Sequence, residues 1–178
     1  YEDIKSIRDL EFEIVPQISC VNCIKDELEN QITNIENLGI ENIIVKLGEI
    51  PNYIKKEELD FSNCYELIEY LKEKTTLCIG ATSSIEDFYF ENTIHEAKIG
   101  AAAIFTTPFD KNEKFYSYIK NLRKKNINIP VIAGISTNID THECIIKCQD
   151  LIEFGVNGLH FYIENKADKI VQILENIL

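Results

Sequence analysis

The sequence predicts an α/β fold of parallel strands joined by crossover helices, and three observations carry that expectation. Short β-branched runs alternate with longer amphipathic segments about six times over 178 residues. The strand runs are nearly continuous in apolar character, as in residues 42–47 (NIIVKL), which suits strands covered on both faces. The connections also differ between the two ends of the strands. At one end they are short, such as Gly39-Ile40-Glu41, and at the other polar and irregular.

The first unit is a strand over 11–19 (EFEIVPQIS) and a helix over about 24–38. There Ile24, Leu28, Ile32, Ile35 and Leu38 recur at spacings of four and three, forming one apolar stripe. The second unit is the strand 42–47 and, after a polar loop, a helix over 65–73. A third strand over 76–81 (TLCIGA) leads to a helix over 85–98 that stops at Gly100. The fourth strand spans 102–107 (AAIFTT), and its helix over 112–125 aligns Phe115, Ile119 and Leu122. A strand over 130–135 (PVIAGI) with a helix over 143–154 makes the fifth unit. The sixth is a strand over 158–163 (GLHFYI) and a helix from 167 to the end.

Alternation at this pace implies parallel pairing with right-handed crossovers, in either an open doubly wound sheet or a barrel. No Gly-x-Gly-x-x-Gly follows any strand, and no phosphate-loop Lys motif occurs. In both architectures ligands sit at the carboxyl ends of the strands. That directs attention to residues 16–23, 48–51, 82–84, 106–110, 135–138 and 164–166.

Composition removes several classes of function. A hydrophobic content of 45% with 27% charged residues fits one globular domain with a core. The longest apolar stretch, near 100–105, is too short to cross a bilayer. Tyr1-Glu2-Asp3-Ile4-Lys5 is polar and mixed in charge, unlike a signal peptide, so a cytoplasmic location is expected. The absence of an initiator Met leads to the expectation that an upstream portion was removed or left out. A net charge of −12 argues against a nucleic-acid surface, though local lysines or helix N-termini can still hold a small anion.

Several motifs, in order along the chain, resemble one family. Pro16-Gln17-Ile18-Ser19-Cys20 followed by Asp26-Glu27-Leu28 looks like the third strand and helix of methylenetetrahydrofolate reductases, which carry Pro-His-Leu-Thr-Cys there. The stretch from Gly39 through Lys46-Leu47-Gly48-Glu49-Ile50-Pro51 resembles the fourth strand and its Arg-Gly-Asp-x-Pro-like loop. Ile104-Phe105-Thr106-Thr107-Pro108-Phe109-Asp110 stands where the family has Ile-Thr-Gln-Phe-Phe-Phe-Asp/Glu. Asn128-Ile129-Pro130-Val131-Ile132-Ala133-Gly134-Ile135 resembles the seventh strand. Gly158-Leu159-His160-Phe161-Tyr162-Ile163-Glu164-Asn165-Lys166 is similar to Gly-Leu-His-Phe-Tyr-Thr-Leu-Asn-Arg, the most specific of these motifs.

The resemblance implies a TIM-type (β/α)8 barrel, incomplete, with about six βα units in a single partial-barrel domain over 1–178. It also implies FAD at the mouth, a hydride from NAD(P)H, and reduction of 5,10-methylenetetrahydrofolate to 5-methyltetrahydrofolate in one-carbon and methionine metabolism. The flavin-side positions carried over are Gln17, Lys46, Gly48, Glu49, Ala81 and Asn92. The folate-side positions are Glu49, Thr106 and Lys166. Glu49 keeps the family's carboxylate on a longer arm, and Lys46 keeps an Arg's charge without its bidentate fork. Thr106 stands for a Gln, and Lys166 for the final Arg. Gln17 replaces a His, Ala81 falls where a flavin-contacting Tyr is expected, and Thr82-Ser83-Ser84-Ile85 replaces a Tyr-Pro-x-x-His-Pro loop.

Family strands one and two, with the general-acid Glu, have no counterpart here, so no catalytic residue is assigned. Six strands of an eight-strand design leave two open edges. A partner segment or a homo-oligomer is expected to complete the barrel. Beside the reductase reading stand a non-catalytic binding module of the same fold and a Schiff-base lyase. The latter would use Lys46 or Lys166, and residues 100–108 faintly resemble lyases of the dihydrodipicolinate synthase type.

Cys20-Val21-Asn22-Cys23 and Cys144-Ile145-Ile146-Lys147-Cys148 carry spacings that suit a four-thiolate metal site. They suit ordinary reduced core thiols as well, and no metal is assigned. His160 is expected to be a packed strand residue, with His95 and His142 on helix surfaces.

Overall fold

The computed structural model describes residues 2–8, 10, 12–55, 58–163 and 167–178. Two compact units divide the chain, one of residues 1–82 and 95–102, the other of 83–94 and 103–178. Two elements cross that division, the strand β3 (Cys78–Ser83) and the helix α4 (Phe90–Lys98).

In the first unit β1 (Gln17–Ser19), β2 (Asn42–Lys46) and β3 lie in sequential order, all parallel. Helices α2 (Lys25–Asn37) and α3 (Cys64–Lys74) supply the crossovers, and a short α1 (Glu2–Arg8) precedes them. From α2 the core receives Leu28, Ile32 and Ile35; α3 gives Leu67, Ile68 and Leu71. Each such side chain contributes roughly 1.5–3 kcal/mol by leaving water. The outer members of the expected stripe do not join them. Ile24 is 53% exposed because it is the residue where the helix starts, and Leu38 follows the helix end.

The second unit repeats the plan with β4 (Ile104–Thr106), β5 (Val131–Ser136) and β6 (Leu159–Tyr162), again parallel and sequential. Its helices are α5 (Asn112–Lys124), α6 (Thr141–Phe154) and α7 (Ala167–Ile177). Phe115, Tyr118 and Leu122 of α5 and Leu151 of α6 are buried, with Tyr118 taking the inner place expected of Ile119. A doubly wound sheet reverses its strand order at a switch point, whereas neither unit shows a reversal. The fold is the α/β class of an incomplete TIM-type barrel, six βα units in all.

Boundaries moved where local hydrogen bonding outweighs the apolar pattern. β1 is three residues rather than nine, because Pro16 has no N–H to donate to the ladder; its carbonyl instead accepts from Ile44. β3 begins at Cys78, two residues late, because the Thr75 hydroxyl accepts from Leu77 N–H and holds a turn there. The third helix is broken near its start: Ser84 Oγ accepts from Glu86 N–H, a 3-10 turn covers Asp87–Tyr89, and only then does α4 run. α6 starts at Thr141, two residues early, because the Asp140 carboxylate caps it by accepting from His142 and Glu143 N–H. Helix α1 was not expected at all. Among the described residues no helix is long and apolar enough to cross a membrane.

Candidate functional site

Strand alternation sorts the first unit's side chains onto two faces. Gln17 pairs with Ile44 and Ser19 with Lys46, so these four share one face, which continues on β3 through Gly80. Ile18, Ile43, Val45, Ile79 and Ala81 take the other face and are buried. Lys46, at the carboxyl end of β2, is half-buried, and Gln17, which opens β1, is exposed. Both line a recess of about 550 Å3 that runs along β1, together with Ser19, Cys23 and the α2 side chains Gln31 and Asn34.

The loop after β2 is pinned to the turn after β1. Val21 N–H and Ser19 Oγ both donate to the Leu47 carbonyl, at 3.1 and 3.3 Å. Gly48 has φ +84°, and a Cβ there would lie 2.2 Å from Ser19 Oγ and 3.3 Å from a Val21 methyl. Glycine is therefore required by both the left-handed backbone and the close approach. This clamp fixes where Gly48 hands over to Glu49, whose side chain is exposed.

In the second unit Phe105 pairs with Ile132, Gly134 with His160 and Ser136 with Tyr162, which puts these six on one face. His160 packs edge-on against Phe105 and Tyr162, with centroids 5.7 and 4.9 Å away. Burial holds the imidazole below its ordinary pKa, so it is neutral near pH 7, and pushes the Tyr162 phenol up. Tyr162 OH donates to the Thr106 carbonyl. At the end of β5, Thr137 ties itself to β6 by donating from its N–H and its hydroxyl to the Tyr162 carbonyl. Lys147 of α6 donates to the Phe109 and Asp110 carbonyls and lies 4.3 Å from the Phe109 ring centroid, which fastens the loop after β4. A buried hydroxyl chain joins Ser83, Thr93 and Tyr118, each link 2.8 Å long.

The structure thus treats the sequence-derived positions unequally. Gln17 and Lys46 meet in one recess, and Gly48 with Glu49 forms the clamped loop beside it. Ala81 has no exposed surface and lies on the opposite face from Gln17 and Lys46. Thr106 is fully buried, with its Oγ1 accepting from Gly134 N–H at 2.8 Å. Phe105, one residue earlier, faces the less buried side. Asn92 is half-buried in the first turn of α4 and belongs, like Thr106, to the second unit. Lys166 lies outside the described residues. Ser19 shares a face with Gln17 and Lys46, and Phe105, Ser136 and Tyr162 share one in the second unit; strand register separates them from their neighbours.

Both cysteine pairs are buried. Burial, with Cys20 and Asp60 adding to it, pushes the Cys23 thiol up to about 11; burial and Cys144 push Cys148 up to about 12. Cys144 is also raised by burial. Such thiols stay protonated at neutral pH and pack as small apolar groups. No set of three or more His, Cys, Asp or Glu side chains among the described residues is placed to hold a metal ion.

Residues 4–141 match the family model described as methylenetetrahydrofolate reductase. A curated relative, methylenetetrahydrofolate reductase 1 of Schizosaccharomyces pombe, is 22% identical over 95% of this chain, which spans 36% of that protein's length. Among solved structures, mandelate oxidase with (S)-2-phenylpropionate aligns at TM-score 0.63 and 14% identity, covering 98% of this chain and 58% of that one. Methylornithine synthase aligns at 0.59 and 16%, covering 99% and 67%. At those identities the likeness to solved structures shows the fold alone.

Proposed function

Because the chain belongs to the methylenetetrahydrofolate reductase family, we propose that it forms part of a flavin-dependent reductase converting 5,10-methylenetetrahydrofolate to 5-methyltetrahydrofolate with NAD(P)H. Family membership supports an oxidoreductase of folate one-carbon chemistry. The observation that carries the finer reading is the recess in which Gln17, Ser19 and Lys46 meet beside the clamped Gly48-Glu49 loop. An amide, a hydroxyl and an ammonium suit an acceptor-rich flavin nucleotide with its ring carbonyls and phosphates.

In this proposal Lys46 balances the cofactor's negative charge and Gln17 orients it by hydrogen bonding. Glu49, on a loop that cannot drift because Gly48 locks against Ser19, positions the folate. When bound, FAD supplies a two-electron carrier between the reduced nicotinamide and the folate. A cytoplasmic location suits these water-soluble substrates.

Gel filtration of the chain with added FAD tests the proposal. A co-eluting flavin band is expected, with affinity falling roughly tenfold or more in Lys46→Ala, as for loss of a charge-assisted hydrogen bond. A folded chain that retains no flavin overturns the assignment for these 178 residues. The alternative, a non-catalytic binding module, would then lead. It is favoured by one observation: Ala81 lies on the face opposite Gln17 and Lys46, and Thr106 is buried with its hydroxyl already engaged.

A further inference from the structure

Basic charge is concentrated on one helix of this acidic chain. Residues 111–125 hold six of the eighteen Lys and Arg and one of the thirty Asp and Glu, in a molecule of net charge −12. They make up α5 with Lys111 as its N-cap and Lys125 as its C-cap. The helix dipole favours the basic side chains of the last turn but disfavours Lys111 and Lys114 at the first, so it explains only part of the pattern. Lys120 and Lys124 stand four residues apart, which makes two like charges neighbours on one face and weakens the helix.

The chain does little to neutralise these charges. Lys114 pairs with Glu86 at 3.6 Å, and Arg123 is engaged in donating to the Ile127 and Ile129 carbonyls. Among the described residues no ion pair engages Lys111, Lys120, Lys124 or Lys125, and all four are exposed. Packing holds the face outward. Phe115, Tyr118 and Leu122 are buried on the side opposite Lys120 and Lys124. Both flanks of α5 are occupied within its own unit. Tyr118 meets Phe90 edge-on at 5.8 Å, and Tyr116 stacks on Phe154 of α6 at 4.0 Å.

The field of the whole molecule narrows what can dock there. A long polyanion, such as a nucleic acid, covers more than one helix and meets the acidic remainder of the chain. A short acidic protein segment touches the helix alone, and screening over about 8–10 Å hides the rest from it. Lysine also suits carboxylates as a point charge, lacking the fork with which arginine grips phosphate. Phe154, 45% exposed beside Tyr116, adds apolar contact at the margin.

We propose that the outward face of α5, centred on Lys120, Lys124 and Lys125, is a docking surface for an acidic segment of a partner protein. The surface is independent of the flavin assignment, because the recess along β1 belongs to the other unit.

Fluorescence anisotropy with labelled poly-L-glutamate tests the surface. The wild-type chain should bind it at low salt and release it as salt rises. Replacing Lys120, Lys124 and Lys125 together by Gln should weaken binding roughly tenfold or more, and each single replacement roughly two- to threefold. The comparison is Lys5→Gln, Lys55→Gln and Lys98→Gln combined, the same loss of charge at exposed positions elsewhere, which should leave binding within about twofold. Far-ultraviolet circular dichroism should match wild type in every variant. A wild-type chain that does not bind overturns the proposal. Equal losses in the two triple variants overturn it in favour of net charge alone. Tighter binding of duplex DNA than of poly-L-glutamate overturns it in favour of a nucleic-acid surface.

Discussion

Gly134→Ala is expected to destabilise the chain by about 3–5 kcal/mol, at the upper end of overpacking effects. Gly134 is buried in the middle of β5, and a Cβ built on it would lie 2.0 Å from the Thr106 carbonyl oxygen and 2.9 Å from the Thr107 carbonyl carbon. Both are backbone atoms of β4 and the loop leaving it, so no rotamer change relieves the clash and the strand itself has to shift. That shift also strains the bond from Gly134 N–H to Thr106 Oγ1. Gly158→Ala is the internal comparison, because its Cβ would meet only an Ile132 methyl at 3.3 Å, and a side chain can turn aside. Urea unfolding of both variants should show a large fall in midpoint for Gly134→Ala and a small one for Gly158→Ala. Equal effects would mean that β4 and β5 separate freely.

The second large effect is a dependence of stability on pH that traces to Glu96. This carboxyl is 3% exposed on α4, Oε2 has no hydrogen-bond partner, and burial raises its pKa from 4.5 to about 7. The folded chain therefore holds this proton across a range where the unfolded chain has released it. Its contribution to stability is complete below pH 4.5 and is lost as pH rises through about 7. Two and a half units correspond to about 3 kcal/mol. Glu96→Gln keeps the shape and removes the ionisation. Unfolding followed from pH 4.5 to 8 should show a flatter stability profile for Glu96→Gln than for wild type. The same slope in both would place the proton uptake elsewhere.

How far the sequence could be read follows from what sets each feature. Six alternating units, and the helices with strong stripes such as α2 and α5, follow from burial, which the order of apolar residues records directly. Strand limits depended on single hydrogen bonds. Nothing in the apolar run of residues 76–81 shows that the Thr75 hydroxyl will claim Leu77 N–H and delay β3. The site divided along the same line. Lys46, Gly48 and Glu49 came from the resemblance, whereas the close approach of Gly48 to Ser19 joins segments that the sequence keeps apart. That Ala81 and Thr106 are buried was not legible, because the face a strand residue occupies is set by register with its neighbours. Val45 opposite Ala81 and Gly134 opposite His160 are pairings between segments distant in sequence. A shift of one residue in register moves every side chain of a strand to the other face.

Five of the six cysteines are buried and only Cys78 is exposed. It opens β3 at the amino end of the strand, whereas Lys46 and Glu49 belong to the carboxyl side of β2. The folded chain thus carries one built-in attachment point for a thiol-directed dye or spin label, placed away from the recess. The other five become reactive only when the core opens, so the number of modified sulfurs per molecule reports directly how much of the population has come apart.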